Sequence, residues 1–526
     1  MTVEHKPDKG SCLDPRLADL VSTDPVSTST EKEARQSFED LLAFCRQDEG
    51  TFRLFETNLL KRLYALGCFL VRLFLACRHE RLTAQDTTPP QGFRLGNPFA
   101  LRTLKTLFGR VTYGRLQWSR KGRGNGFHPL DVALGLARDS FSPWVIQFVT
   151  RLATRMSFAS SRLMCRAVLG WSPSTEAIEQ LVLGLGRQAQ PFMEQLPGPA
   201  NDGEVLVIEV DGKCPPTARE EELRKRRRPH QKHKKNCPKG CQRHRGQDKR
   251  KRRGSKKRRK KGDKSKNGKE VVVVVMYTLR RGEDGKLHGP IGKKMWASFG
   301  PREGAARWAR AEASKRGFGP DTEKIVQIVL DGASGLKTNL EPLFPRAIFT
   351  IDVCHVVEKL WDLAHRFHKE GSEELKTQVE EWKTLVYAGQ AAELVERLKK
   401  RLRETPMNGP GSKGKRKSLA SVIGYVEKRV DMMRYAEWKE QDLVIASGQV
   451  EGTVRQLVGE RMDCAGMRWI PGRAQALLQL RCIELNKDWE AFIAWSDQQT
   501  SKRLLNQEAV MIRSKEPLKC GFAIAA

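Results

Sequence analysis

Apolar residues recur at three- and four-residue spacing in the first part of the chain. From about residue 34 to 88 the positions Phe52, Leu54, Phe55, Leu59, Leu60, Leu63, Leu66 and Phe69 fall on a helical period. The cluster Pro89-Pro90-Gln91-Gly92 ends that stretch. The pattern then changes to alternation. Leu104 to Trp118 is rich in β-branched and aromatic residues and predicts a short hairpin, with Gly109 at its turn or at a bulge. Pro129-Leu130-Asp131 opens a second helical block that runs to about Gln195. Within it, helices are expected over Ser157–Leu169 and Thr175–Gln188. They flank the turn Gly170-Trp171-Ser172-Pro173, with Ser174 or Thr175 as N-cap. Helix, short glycine-containing turn, helix fits a helix-turn-helix or an ordinary helical hairpin equally well.

After Pro197-Gly198-Pro199 the pattern becomes α/β. Strands are expected over Glu204–Val210, Glu270–Tyr277, Lys286–Ser298, Ile325–Leu330 and Ala347–Val353, with a helix over Ala305–Arg316. Three strands, a helix, then two more strands outline a ribonuclease-H-like core. Val356 to about Trp438 reads as helix again, interrupted by the glycine- and lysine-rich run Gly409–Lys417. Its simplest reading is a helical insertion before the last core helix. The expected organisation is a multidomain α+β protein: a disordered lead-in (1–33), a mainly helical region (34–200), a ribonuclease-H-like α/β core (201–355) carrying a basic insertion (219–269), an α-helical insertion (356–445), a last core helix with a loop (446–495), and a C-terminal tail (496–526).

Charge adds a partner to this picture. The 526 residues carry a net charge of +33. Arg219 to Lys269 holds 26 Lys or Arg against 5 Asp or Glu, a net of +21 (26 − 5) within 51 residues. Such a block binds polyphosphate by releasing counterions, which makes a nucleic acid the expected partner; a solvated basic loop or a localisation tract is the other reading. Arg226, Arg227, Arg228, Lys256, Lys257, Arg258 and Arg259 are its densest cationic positions. No run of about 18 apolar residues exists, so no membrane span is expected. The polar first 33 residues contain no apolar signal-peptide core. Cys45, Cys68, Cys77, Cys165 and Cys482 sit singly in apolar helical stretches, the usage of a reducing, cytoplasmic compartment.

Three carboxylates stand out against this frame. Asp211 follows the apolar run from Glu204, Asp331 follows Ile325–Leu330, and Glu451 opens a helical stretch in Ser447-Gly448-Gln449-Val450-Glu451-Gly452. Two acids at strand ends and one on a helix are the parts of a two-metal phosphoryl-transfer centre, in which hard Mg²⁺ ions take carboxylate oxygens. Glycine after each aspartate frees the backbone to leave the strand. Asp352 competes for the place of a ligand, and His355, three residues on, has the chemistry to donate to a phosphate. A second constellation, His230, His233, Cys237, Cys241 and His244, offers zinc ligands inside the basic insertion. Chance placement in a basic arm accounts for it as well. After Glu451, Arg461, Arg468 and Trp469 mix cations with an aromatic, a combination suited to holding a DNA end. A surface loop whose tryptophan packs on the core is the other reading.

Taken together, Val210-Asp211-Gly212-Lys213, Leu330-Asp331-Gly332-Ala333, Asp352-x-x-His355, Gly448-Gln449-Val450-Glu451 and Arg461 with Gly466-Met467-Arg468-Trp469 resemble bacterial insertion-sequence DDE transposases, the ISKra-type group in particular. The Phe108-Gly109-Arg110-Val111 hairpin and Pro129-Leu130-Asp131 resemble that group's N-terminal half. The resemblance implies a ribonuclease-H-like catalytic domain that uses Asp211, Asp331 and Glu451 with Mg²⁺, an α-helical insertion before Glu451, and the terminal inverted repeats of a mobile element as substrate. The expected picture is then a helical N-terminal DNA-binding region, two Mg²⁺ ions with His355 assisting, double-stranded element ends and target DNA as partners, a homodimer or higher oligomer because two ends must be paired, and a cytoplasmic, nucleoid-associated location in a bacterium. The long Cys/His-containing basic insertion departs from the group's general pattern. Two alternatives remain at this level: a ribonuclease-H-like nuclease without strand transfer, and a non-catalytic basic DNA-binding protein.

Overall fold

A computed structural model describes residues 26–47, 50–85, 89–90, 92–120, 123–221, 268–332, 335–464 and 466–513. Backbone contacts divide them into two compact units. The first holds the described residues up to Ala153, Ser157–Leu181, and those from Ala491 onward; the second holds Thr154–Met156 and Val182–Glu490.

In the first unit, the single helical stretch expected from periodicity is two helices, Val26–Cys45 and Phe52–Gln85. Strands β1 (Arg94–Leu95), β2 (Ala100–Thr106), β3 (Gly109–Arg115), β4 (Trp118–Arg120) and β5 (Arg123–Phe127) follow. β2 and β3 form the expected antiparallel hairpin, with Thr106 opposite Gly109. Gly109 has φ +140°, a conformation that favours glycine. Leu104, Val111 and Tyr113 of the hairpin pack with Leu75 and Leu130. The short sheet β1-β4-β5 was not legible in the alternation, because its strands have only two to five residues. Asp131 lies buried among this group. It accepts a hydrogen bond from Tyr113 at 3.0 Å, pairs with Arg102 at 3.0 Å, and forms an ion pair with Arg115.

The helices Phe158–Leu169 and Thr175–Gly186 flank the expected turn. Ser157 caps the first through Ser160 N, and Gly170 ends it at φ 72°. The second helix carries Glu176 and Glu179 and neither lysine nor arginine. Its charge therefore does not suit a helix laid against phosphates, which favours the helical-hairpin reading. The stretch expected as a C-terminal tail begins as the helix Trp489–Arg513, whose Trp489 and Phe492 are buried at i, i+3 spacing.

The second unit is built on a five-stranded sheet. Its strands are β6 (Val205–Lys213), β7 (Val271–Arg281), β8 (Leu287–Ser298), β9 (Val326–Leu330) and β10 (Ile348–Ile351), in spatial order β10-β9-β6-β7-β8. β6, β7 and β8 are antiparallel neighbours, whereas β9 and β10 run parallel to β6. Val205–Val210, Val271–Leu279 and all of β9 are buried, as expected of strands covered on both faces. The helix Gly448–Val454 packs on β6 and β7, and Pro471–Leu485 packs on β8. Helices Glu373–Tyr387, Ala391–Glu404, Ser412–Glu427 and Tyr435–Glu440 separate β10 from the Glu451 helix in sequence. Among the described residues, no helix is long and apolar enough to cross a membrane.

Candidate active site

Parallel pairing sets the geometry of this site. Val210 pairs with Leu330, and Leu330 with Ile351. The next residue on each of these three adjacent strands is an aspartate: Asp211, Asp331 and Asp352. Three carboxylates therefore stand in one row at one edge of the sheet. β6 continues two residues past Asp211, so Gly212 lies within the strand and does not turn it. Its lack of a side chain leaves room for Glu270, whose carboxylate a Cβ would meet at 2.7 Å. Gly332 does turn, at φ +79°.

Buried anchors bring Glu451 to the same edge. Glu209, fully buried on β6, accepts a hydrogen bond from Tyr277 Oη at 2.6 Å and another from Val450 N at 2.7 Å. It lies two residues before Asp211 and hence on the same face of the sheet. Asp352, 1% exposed, accepts from Cys354 N at 2.7 Å, which caps the helix Val353–Ala364, and also from the Ser447 hydroxyl. Lys293 Nζ donates to Gln449 at 2.9 Å. Three successive attachments thus fix the start of the Glu451 helix. Burial raises the Glu209 carboxyl above its usual range.

Asp352, His355 and Glu451 each offer a ligand atom within 4.8 Å of the others. His355 Nε2 lies 3.9 Å from Asp352 and 3.9 Å from Glu451, and its Nδ1 lies 3.5 Å from Glu358. Asp211 is pushed up to about 6, chiefly by burial. The charges of Asp331 and Glu451 push the same way, against the Gly212 N–H and His355. Asp211, Asp331, His355 and Glu451 therefore share one electrostatic neighbourhood, with Asp352 beside them. An oxygen-rich donor set whose crowding raises a carboxyl is compatible with a divalent cation, which would relieve that crowding.

The raised Asp211 carboxyl has a pH consequence in protein free of divalent cations. Protonation favours the folded state, so this contribution to stability is present below about pH 4, falls as pH rises through about 6, and is absent above that. Asp211→Asn should leave stability unchanged near pH 4 and raise it on the order of 2 kcal/mol at pH 7. Thermal unfolding in EDTA across this range is the check. A gap that does not open with pH would show that the Asp211 carboxyl is not raised.

The loop after Glu451 departs from expectation. Arg461 is 2% exposed, with its guanidinium 5.0 Å from the centre of the Trp469 ring. Burial lowers it to about 10. Trp469 donates from Nε1 to Met462 O at 2.9 Å, and its backbone pairs with Pro216 and Ala218. Arg461 and Trp469 fasten this loop to the segment following β6, and the DNA-contact expectation is corrected for Arg461, which is withdrawn from solvent. Trp469 is half-buried, with one ring face against Arg461. Arg468 is exposed. Arg481 holds the π-helical turn Arg455–Gly459 by donating to Leu457 O at 2.8 Å and to Gln456 O. Arg226, Arg227, Arg228, Lys256, Lys257, Arg258, Arg259 and the zinc candidates His230, His233, Cys237, Cys241 and His244 lie outside the described residues. The two ends of the insertion are described: Pro216 bridges Gly268, beside the pair Lys213–Val271 at the end of β6 and β7.

Sequence reading missed Glu209, Ser447 and Lys293 as positioning residues. A signal existed only for Glu209, the one acid inside the apolar run Val205–Val210 that precedes Asp211.

No protein-family model matches the chain. A stretch of 116 residues is 34% identical to a UPF0236 protein in the vanSb 3′ region of Streptococcus gallolyticus. That stretch is 21% of this chain, and the chain spans about a quarter (25%) of the length of that curated relative. Among solved structures, the Drosophila P element transposase strand transfer complex aligns over 68% of this chain and 95% of its own, with 11% identity and a TM-score of 0.27.

Proposed function

We propose that the chain is a DDE-type transposase of an insertion sequence, similar to the ISKra-type group, which cuts DNA at the element ends and joins them to target DNA. The observation that carries this reading is the row Asp211, Asp331, Asp352 at the ends of three adjacent parallel strands, with Glu451 brought to it by a helix anchored on β6. The strand order β10-β9-β6-β7-β8, with its antiparallel and parallel halves, supports a ribonuclease-H-like core. Asp211, Asp331 and Glu451 would hold two Mg²⁺ ions. When bound, these supply charge stabilisation to the attacking and leaving oxygens of the scissile phosphate.

The chain's own residues then have distinct tasks. Glu209 and Asp352 fix the Glu451 helix, so its carboxylate needs no reorganisation when the phosphate arrives. His355, between Asp352 and Glu451, is placed to donate to a phosphate oxygen. The described ends of the +21 insertion lie near the ends of β6 and β7, where Pro216 bridges Gly268, and its charge is the chain's strongest source of phosphate affinity. Pairing of two element ends calls for a dimer or higher assembly on DNA.

The test is cleavage and joining of labelled duplexes carrying the sequences that flank the gene. Cleavage followed by joining of a pre-cut end supports the transposase. Cleavage without joining favours a nuclease, and binding without cleavage favours a non-catalytic DNA-binding protein.

A further inference from the structure

The helical segment before the Glu451 helix reaches the carboxylate row through one side chain. Tyr425, near the end of the helix Ser412–Glu427, holds its hydroxyl over the Asp331-Gly332 turn. A Cβ on Gly332 would lie 2.4 Å from that oxygen. Gly332 thus serves twice: it adopts φ +79° and it leaves room for the hydroxyl.

The ring is held from several sides. The Arg429 guanidinium lies 4.3 Å from its centre and the Lys359 ammonium 4.6 Å from it. Arg429 also donates to Tyr425 O at 2.9 Å and to Gly332 O at 2.8 Å, which clamps the tyrosine's helix to the turn after Asp331. Yet the hydroxyl itself is buried and has no hydrogen-bond partner among the described residues. Buried hydroxyls are rarely left unsatisfied, because the lost hydration is not recovered. A phenol hydroxyl is protonated near neutral pH and can donate. A rigidly held, unpartnered donor beside a carboxylate row suits a ligand that brings its own acceptor oxygen.

We propose that Tyr425 is a substrate-contacting residue whose hydroxyl donates to a non-bridging oxygen of the phosphodiester bound at Asp211, Asp331 and Glu451. This rests on the phosphoryl-transfer reading above and adds a contact supplied by the helical segment.

The experiment compares full-length wild type with Tyr425→Phe on labelled duplex carrying the element ends. The expected result is a loss of cleavage rate of about 10- to 100-fold, as for removal of one donor to a developing charge. Mn²⁺ binding and duplex binding should be unchanged, and the thermal midpoint equal or higher, because an unsatisfied hydroxyl has been removed. The loss should shrink on one of the two phosphorothioate diastereomers at the scissile phosphate, the one whose contacted oxygen is replaced by the weaker acceptor sulfur. An unchanged rate in Tyr425→Phe overturns the inference while leaving the functional reading intact. So does a rate loss that tracks a fall in thermal midpoint and is equal on both diastereomers, since that marks a packing role. Absence of cleavage by wild type overturns both readings.

Discussion

Asp211→Asn, Asp331→Asn and Glu451→Gln should each lower Mg²⁺-dependent strand cleavage by about a thousandfold or more, equivalent to roughly 4 kcal/mol of transition-state stabilisation. Each change keeps the side chain's size and removes a charge from a crowded site, so none should destabilise the fold. The loss should be in turnover rather than in DNA affinity. Affinity draws on the basic insertion, whose net +21 is untouched by these changes. Asp352→Asn should behave differently. Both carboxylate oxygens of Asp352 already accept hydrogen bonds, from Cys354 N and from Ser447. Its substitution should therefore lower the thermal midpoint as well as the rate. Parallel cleavage, filter-binding and unfolding measurements separate the two patterns. Retained cleavage in Asp331→Asn alongside lost cleavage in Asp352→Asn, with folding intact, would transfer the ligand role to Asp352.

Glu209→Ala should be the most damaging change outside the carboxylate row. It leaves Tyr277 Oη and Val450 N as buried donors without their acceptor and opens a cavity in the centre of the sheet. A loss of about 2–4 kcal/mol is expected, within the range for breaking a buried, fully engaged polar group. Cleavage should fall further than stability alone explains, because Val450 precedes Glu451 and its N–H is one of three attachments that hold that helix. Glu209→Gln retains one acceptor oxygen and should recover part of both losses. Tyr277→Phe removes a donor along with its hydroxyl and should cost least of the three. Urea unfolding, with cleavage measured well below each midpoint, tests this ordering. Equal cleavage by folded Glu209→Ala and wild type would mean that the Glu451 helix is held by other contacts.

Most of the site was legible because β-strands encode register simply. Apolar runs leading to Asp211 and Asp331 marked where each strand meets its carboxylate, and parallel pairing of the residues before them set the two side by side. Asp352 was visible as a competitor, but its burial under Ser447 was not, since Ser447 lies 95 residues away and no local spacing joins them. Tyr425 was likewise silent: a tyrosine at helical spacing reads as core until the turn it faces is known. The Arg461 expectation failed for a related reason. A cation and an aromatic near each other suit a nucleic acid, but they suit each other equally well, and the burial of Arg461 decided its own role. In the first unit the hairpin was legible from its alternation and Gly109, while β1, β4 and β5 were too short to carry a period.

The central claim is that Asp211, Asp331 and Glu451 form one divalent-cation site. The most direct measurement is Mn²⁺ binding to the full-length chain at pH 8, followed by calorimetry or Mn²⁺ paramagnetic resonance, for wild type, Asp211→Asn, Asp331→Asn and Glu451→Gln. The account predicts saturable binding by wild type that is weakened at least about tenfold by each substitution, a loss of roughly 1.4 kcal/mol or more. No saturable binding by wild type, or binding that all three variants retain unchanged, would contradict it.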